Sequence, residues 1–106
     1  MWIALTDCGV DAPGLDIVPR RVPELVPSGV EGAVFGWSIG QPVVDRAALD
    51  TPVIRPRFAA GDALLFDDVF VHRTGAGSGM TTVRYAIESW FFAPSTYPVD
   101  QVPIAY

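Results

Sequence analysis

TTVRYAIESWFFA, residues 81–93, is the longest β-rich run in this sequence, and its β-branched and aromatic residues favour a strand. Ten prolines and ten glycines among 106 residues leave few windows long enough for a helix. Only residues 43–49, VVDRAAL, predict a helical turn or two, closed by Pro52. Working outward, strands are predicted at 2–6, 15–18, 63–66 and 69–72, with weaker candidates at 32–39 and 52–55. This pattern predicts an all-β fold of the sandwich, barrel or jelly-roll kind.

The length and the charge limit the classes of protein to consider. A chain of 106 residues is expected to form a single domain, residues 1–106, with a proline-rich tail at 94–106 lying over the surface. Half of the residues are hydrophobic, which argues against disorder. The net charge is −5, and the seven cations are scattered arginines, so we expect no nucleic-acid partner.

Membrane and secretory features are not evident in the sequence. No apolar run approaches the roughly 18–20 residues that span a bilayer, so we expect no membrane partner. The single cysteine, Cys8, cannot form an intrachain disulfide, and the first residues lack the pattern of a signal peptide. We therefore expect a cytoplasmic protein.

The alternation within residues 81–93 separates two faces. One carries Arg84 and Glu88 among aromatics and is expected to line a polar pocket, whereas the other is expected to be a core face, with Val83, Tyr85, Ile87, Ser89 and Phe91. Residues four apart on a strand lie about 13 Å apart, so Glu88 is too far away to pair with Arg84. Arg84 therefore needs another partner, and a carboxylate held by both guanidinium nitrogens would suit it.

His72 is the only histidine, and two interpretations of it stay open. It is either a metal ligand or base, or a half-buried histidine that hydrogen-bonds a neighbour. The glycines of residues 75–79 do not form a phosphate loop, because a strand follows them and the chain has no lysine. We interpret them as the hairpin connection between the strand of His72 and the strand of Arg84.

The order of these motifs resembles the phytanoyl-CoA dioxygenase family. WIALTD at 2–7 and GLDIVP at 14–19 are similar to that family's "W-x-A-L-x-D … G-x-L-x-V-x-P" stretch. GDALLF at 61–66, then HRTG at 72–75, with Arg84 twelve residues after the histidine, look like its C-terminal signature. The resemblance covers about residues 2–97.

The resemblance implies a double-stranded β-helix, a cupin-like jelly roll, with Fe(II) and 2-oxoglutarate as cofactors. It implies that His72 binds iron, that Arg84 binds the distal carboxylate of 2-oxoglutarate, that the Thr74 hydroxyl lies near the same carboxylate, and that Trp2 lines the cosubstrate pocket. The family's His-x-Asp motif, which supplies the other ligands of the iron triad, has no counterpart in a chain with one histidine. We expect the C-terminal portion of such an oxygenase, inactive as an isolated chain.

Two other functions remain as alternatives. The first is a non-catalytic module that binds a carboxylate-bearing small molecule, and the second is a structural, self-associating β domain. A partial jelly roll leaves sheet edges without partners, which promotes pairing with other chains. We therefore expect a homo-oligomer formed through exposed sheet edges.

Overall fold

The computed structural model of the chain describes residues 1–96, and these are mostly strand and coil, with antiparallel sheets and one short helix. The elements in chain order are β1 (Trp2–Ala4), β2 (Gly14–Ile17), α1 (Gln41–Ala48), β3 (Ala63–Leu64), β4 (His72–Gly75), β5 (Ala86–Glu88) and a 3₁₀ turn (Pro94–Thr96). The expectation of a β-rich chain is therefore confirmed.

The five strands form two antiparallel sheets. The first has the order β3-β1-β5, in which Trp2 lies opposite Leu64 on one side and Glu88 on the other. The second pairs β2 with β4, placing Leu15 opposite Thr74 and Ile17 opposite His72. The predicted hairpin between the strands of His72 and Arg84 is wrong, because β4 and β5 belong to different sheets.

The main core is shared by the two sheets. Side chains two residues apart on a strand share a face, so alternate residues of β1 and β2 are directed into this core. Its buried members are Trp2, Ala4, Cys8, Ala12, Leu15, Ile17 and Phe58, with Leu64, Phe66, Phe70 and Ala86 packed against them.

The expected core face of the 81–93 run is wrong. Its apolar members Val83, Tyr85, Ile87 and Phe91 are exposed, and it is Ala86 that packs against the core. The register explains this result, because Ala86 lies opposite Ala4, whereas Ile87 lies opposite the half-buried Ile3 on the outer face of the sheet.

A second apolar cluster holds α1 against the rest of the molecule. Val18, Val22, Ala48 and Val71 form its buried part. Arg20 Nη1 donates to the carbonyl of Ala47 at 2.7 Å and so binds one of the open carbonyls at the end of the helix. The helix predicted at 43–49 is confirmed and begins two residues earlier than expected.

An ion-pair cluster lies on the face of β2 opposite to the main core. Asp16 is only 8% exposed, and its carboxylate accepts from Arg55 Nε at 2.7 Å and from Arg73 Nε at 3.3 Å. The hydrogen bond from Arg55 is the main reason that the pKa of Asp16 is lowered. Gly75 leaves the space for this cluster, because a Cβ there would collide with the Asp16 carboxylate and lie 2.6 Å from Arg55 Nε.

Several predicted strands are shorter than expected, shifted or absent. Residues 32–39 form turns, in which Ser38 N donates to Phe35 O at 3.0 Å, and Ile54 makes only an isolated bridge to Ile17. The strand expected at 69–72 begins at His72, and the 81–93 run contributes only Ala86–Glu88. The proline-rich tail predicted at 94–106 lies outside the described residues from 97 onward. Among residues 1–96, no helix has the length and apolar character needed to cross a bilayer.

Candidate functional site

The Arg84 side chain bridges the two sheets. Arg84 precedes β5, and its Nη1 donates to the backbone carbonyl of Gly14 at 2.8 Å, at the start of β2. Its Nη2 donates to Thr74 Oγ1 at 3.3 Å, on β4. Two residues that the resemblance assigns to one carboxylate-binding position are thus in contact, although they are ten positions apart, Thr74 on β4 and Arg84 in the segment that precedes β5.

The Trp2 ring packs against this guanidinium. The Arg84 Cζ atom lies 5.8 Å from the centre of the Trp2 ring, within the range of a cation–π contact. Trp2 is buried, and its ring packs edge-on against Phe58 with 4.9 Å between the ring centres. The core therefore fixes the position of the indole, which presents an apolar ring face to the guanidinium. We call Arg84, Thr74, Trp2 and the Gly14 carbonyl the Arg84 cluster.

Arg84 has only neutral hydrogen-bond partners among the described residues. Its acceptors are a carbonyl and a hydroxyl, and none of the ion pairs within residues 1–96 includes it. The side chain is half-buried, so it has lost part of its hydration without gaining a carboxylate. Such a cation favours an anion that arrives from outside the chain.

His72 lies on β4, two residues before Thr74 and on the same face of the strand. Its Nδ1 is 2.9 Å from the carbonyl of Phe70. Because a carbonyl only accepts, the neutral ring carries its proton on Nδ1, and Nε2 keeps a lone pair. The ring also packs against Phe66 and Phe70, with centres 4.5 Å and 6.0 Å away. The half-buried, hydrogen-bonded histidine considered from the sequence matches this geometry, and Nε2, which has no hydrogen-bond partner within residues 1–96, also suits a ligand.

Iron does not fit the residues present in this chain. A facial triad needs two imidazoles and a carboxylate, and the sequence has one histidine. Within the described part of the chain, no group of three or more histidine, cysteine or acidic side chains is arranged to hold a metal ion. His72 alone supplies a single ligand, so no chemistry of bound iron is derived from this site.

Two shallow surface clefts formed by described residues include neither Arg84 nor Thr74 in their linings. The larger, about 680 Å³, has in its lining three aspartates, Asp7, Asp11 and Asp62, and one arginine, Arg57. That lining is more acidic than basic and repels an anion. The smaller, about 320 Å³, is bordered by Phe66 and Phe70, the ring neighbours of His72.

Sequence reasoning missed two members of this region. The Gly14 carbonyl holds Arg84 in place, and a backbone acceptor leaves no side-chain signal to find. Cys8 lies close enough to Arg84 to feel its charge: burial raises the pKa of the Cys8 thiol, while Arg84 opposes that rise. Only the packing of the loop after β1 brings Cys8 here, so its position could not be expected from spacing.

Comparisons with protein-family models, curated proteins and solved structures find no match to this chain.

Proposed function

We propose that this chain binds a carboxylate-bearing small molecule at the Arg84 cluster and that 2-oxoglutarate is a ligand of this kind. The observation that carries the proposal is the half-buried Arg84 guanidinium, held by neutral acceptors over a buried tryptophan. A ligand carboxylate would accept from the guanidinium and from the Thr74 hydroxyl. Charge-assisted bonds of this kind are among the strongest that a protein offers to a small anion.

The proposed architecture is a partial jelly roll of the phytanoyl-CoA dioxygenase type. Two antiparallel sheets that share a core support it, as does the contact between Arg84 and Thr74, two residues that the motif resemblance associates. In this architecture β2 and β4 form one layer, and β1, β3 and β5 form the other.

The proposed function is that of a binding module and not of a working oxygenase. Oxygen activation in the family it resembles requires a facial triad with two histidines, and His72 is the one histidine of this sequence. Arg84, Thr74 and Trp2 can orient a ligand without any metal, because their contacts are with its carboxylate and its apolar chain. The function proposed is therefore carboxylate recognition without turnover.

Titration calorimetry with 2-oxoglutarate tests the proposal. We expect binding to the wild-type chain and at least about tenfold weaker binding to Arg84→Gln, which removes a hydrogen-bonded charge. Arg57→Gln is the matched control, because it removes the same charge from an exposed arginine outside the Arg84 cluster. Circular dichroism of each variant without ligand establishes that the fold is retained.

Equal binding by wild type and Arg84→Gln would contradict the proposal, as would loss of binding in Arg57→Gln of the same size. A second arm compares 2-oxoglutarate with its diamide. If the diamide binds as tightly as the dicarboxylate, the cluster does not recognise carboxylates.

A further inference from the structure

Among residues 1–96, β5 is an edge strand with backbone groups directed away from β1. In the sheet order β3-β1-β5, β5 has a neighbour on one side only among the described residues. Leu5 N donates to Tyr85 O, and Ser89 N donates to Met1 O, so the odd-numbered residues of this strand direct their backbone groups toward β1. In an antiparallel ladder these groups alternate in direction. The amides and carbonyls of Arg84, Ala86 and Glu88 are therefore directed to the open edge.

The outer face beside this edge is apolar. Tyr85 is 62% exposed and Ile87 is 47% exposed, and they are flanked by Val83 at 63% and Phe91 at 76%. An exposed strand edge with an apolar face is a template for pairing with another strand. A lysine or a proline at such positions prevents pairing in many proteins, and residues 82–92 contain neither.

The sequence of this edge complements itself about Ala86. When two copies pair antiparallel with Ala86 opposite Ala86, Arg84 of each copy lies opposite Glu88 of the other. The groups that point outward, those of the even-numbered residues, then face each other as the hydrogen-bonded pairs require. A two-fold axis through Tyr85 or through Ile87 also joins even-numbered residues, but it leaves Arg84 and Glu88 without opposite charges across the pair.

We infer that this chain forms a two-fold dimer through antiparallel pairing of β5 with β5 of a second copy, in the register that sets Arg84 opposite Glu88. The partner is a second copy because each edge supplies both charges of the pair, which is what a self-complementary interface needs. Tyr85 of one copy then lies against Ile87 of the other and covers part of the exposed apolar face.

Dimer formation does not require ligand binding, although both involve the Arg84 side chain. Glu88 of the second copy offers Arg84 a carboxylate, as the proposed ligand does, so saturating 2-oxoglutarate should weaken the dimer. Disulfide cross-linking of the dimer needs no ligand. A failure of dimerisation is thus distinguishable from a failure of carboxylate binding.

Disulfide trapping tests the register with two single variants, Tyr85→Cys and Ile87→Cys. In the inferred register these positions face each other in a non-hydrogen-bonded pair, where Cα atoms lie about 4.5 Å apart, within the range a disulfide spans. A mixture of the two variants should form a cross-linked dimer under mild oxidation, and neither variant alone should do so. The wild-type chain, whose Cys8 is buried, is the control.

Each other trapping result overturns the inference. A dimer from Tyr85→Cys alone places the two-fold axis at position 85, and a dimer from Ile87→Cys alone places it at position 87. No cross-link in any sample, together with a monomer in sedimentation equilibrium, means that β5 does not pair with itself.

Charge reversal supplies a second measurement on the intact chain. Glu88→Arg sets like charges opposite each other twice in the dimer, so the dimer dissociation constant should rise about tenfold or more. Glu24→Arg makes the same change of net charge at an exposed position outside β5 and should leave the constant unchanged. Equal effects of the two variants would contradict the inferred register.

Discussion

Two arginines that reach across strands of this molecule have opposite surroundings. Arg55 meets a nearly buried carboxylate on the outer side of β2, where its Nε lies 2.7 Å from Asp16 Oδ1. Arg84, near the other face of the same strand, meets a carbonyl and a hydroxyl at 2.8 Å and 3.3 Å. Among the described residues, the charge of Arg55 is neutralised by Asp16, whereas Arg84 has no acidic partner.

This difference indicates that the Asp16 ion pairs stabilise the fold, whereas the Arg84 cluster is suited to binding a ligand. Removing Arg55 leaves the nearly buried Asp16 carboxylate with only its longer contact to Arg73, so that cluster contributes to folding. The Arg84 cluster holds a cation with neutral groups, which fixes its position while leaving its charge available. We therefore expect substitutions at the first cluster to change the free energy of unfolding, and substitutions at the second to change ligand affinity.

Gly75→Ala should produce the largest loss of stability. The new Cβ would collide with the Asp16 carboxylate and approach Arg55 Nε, so both partners must move. We expect the free energy of unfolding to fall by about 2–3 kcal/mol, as for other overpacked sites. Gly77→Ala is the control, because its Cβ would meet Arg55 only at 3.7 Å, an ordinary contact. Urea unfolding of both variants makes the measurement, and equal losses would show that the Asp16 cluster is not tightly packed.

Asp16→Asn should cost about 2 kcal/mol at neutral pH, because two charge-assisted hydrogen bonds lose their acceptor charge. The folded-state pKa of Asp16 is lowered by Arg55, so its contribution to stability is complete above the unfolded-state value near 4. It is lost as the pH falls from there through the lowered folded-state pKa. Unfolding curves from pH 7 to pH 2 should show wild type and Asp16→Asn converging in acid. A constant gap between them would mean that Asp16 is not the titrating group.

Thr74→Val keeps the shape of the side chain but removes the hydroxyl that accepts from Arg84. Because one neutral hydrogen bond is lost, affinity for 2-oxoglutarate should fall about three- to tenfold. The melting temperature without ligand should change little, since Thr74 is exposed. Unchanged affinity by calorimetry would remove Thr74 from the site.

Divalent metal should have the smallest effect. A complete facial triad would let a metal bind the ligand and tighten its binding, but His72 provides only one protein donor. We expect the affinity for 2-oxoglutarate to agree within about twofold with and without Mn(II), after correction for metal bound by the free ligand. A tenfold tightening that is abolished in His72→Ala would contradict this prediction and would show that His72 holds the metal together with other ligands.

Local sequence patterns predict the elements of this molecule better than their partners. The positions of β1, β2 and α1 follow from short apolar stretches between turn residues and from the one window suited to a helix, as the sequence indicates. Strand pairing depends on residues far apart in the chain, so the placement of β1 between β3 and β5 carried no local signal. The false strand at 32–39 shows the same limit, since Phe35 and Trp37 have strand propensity but stack on each other in an exposed turn.

In the candidate site, too, local sequence features are easier to predict than contacts that depend on tertiary packing. The side chains of Arg84, Thr74 and Trp2 could be expected from a motif resemblance, and they lie together. The Gly14 carbonyl and the nearby Cys8 could not, because a backbone acceptor and a loop position depend on tertiary packing. The core face expected for residues 81–93 is wrong for a related reason, since alternation separates two faces but does not say which of them meets the core.

The most direct measurement of the central claim is a crossed comparison of Arg84→Gln and Arg55→Gln, which remove the same charge from the two clusters. For each variant, urea unfolding gives the stability and calorimetry gives the affinity for 2-oxoglutarate. We predict that Arg55→Gln is less stable and binds like wild type, whereas Arg84→Gln is nearly as stable as wild type and binds at least about tenfold more weakly. Ligand binding that survives in Arg84→Gln, or that is lost equally in both variants, would contradict the account.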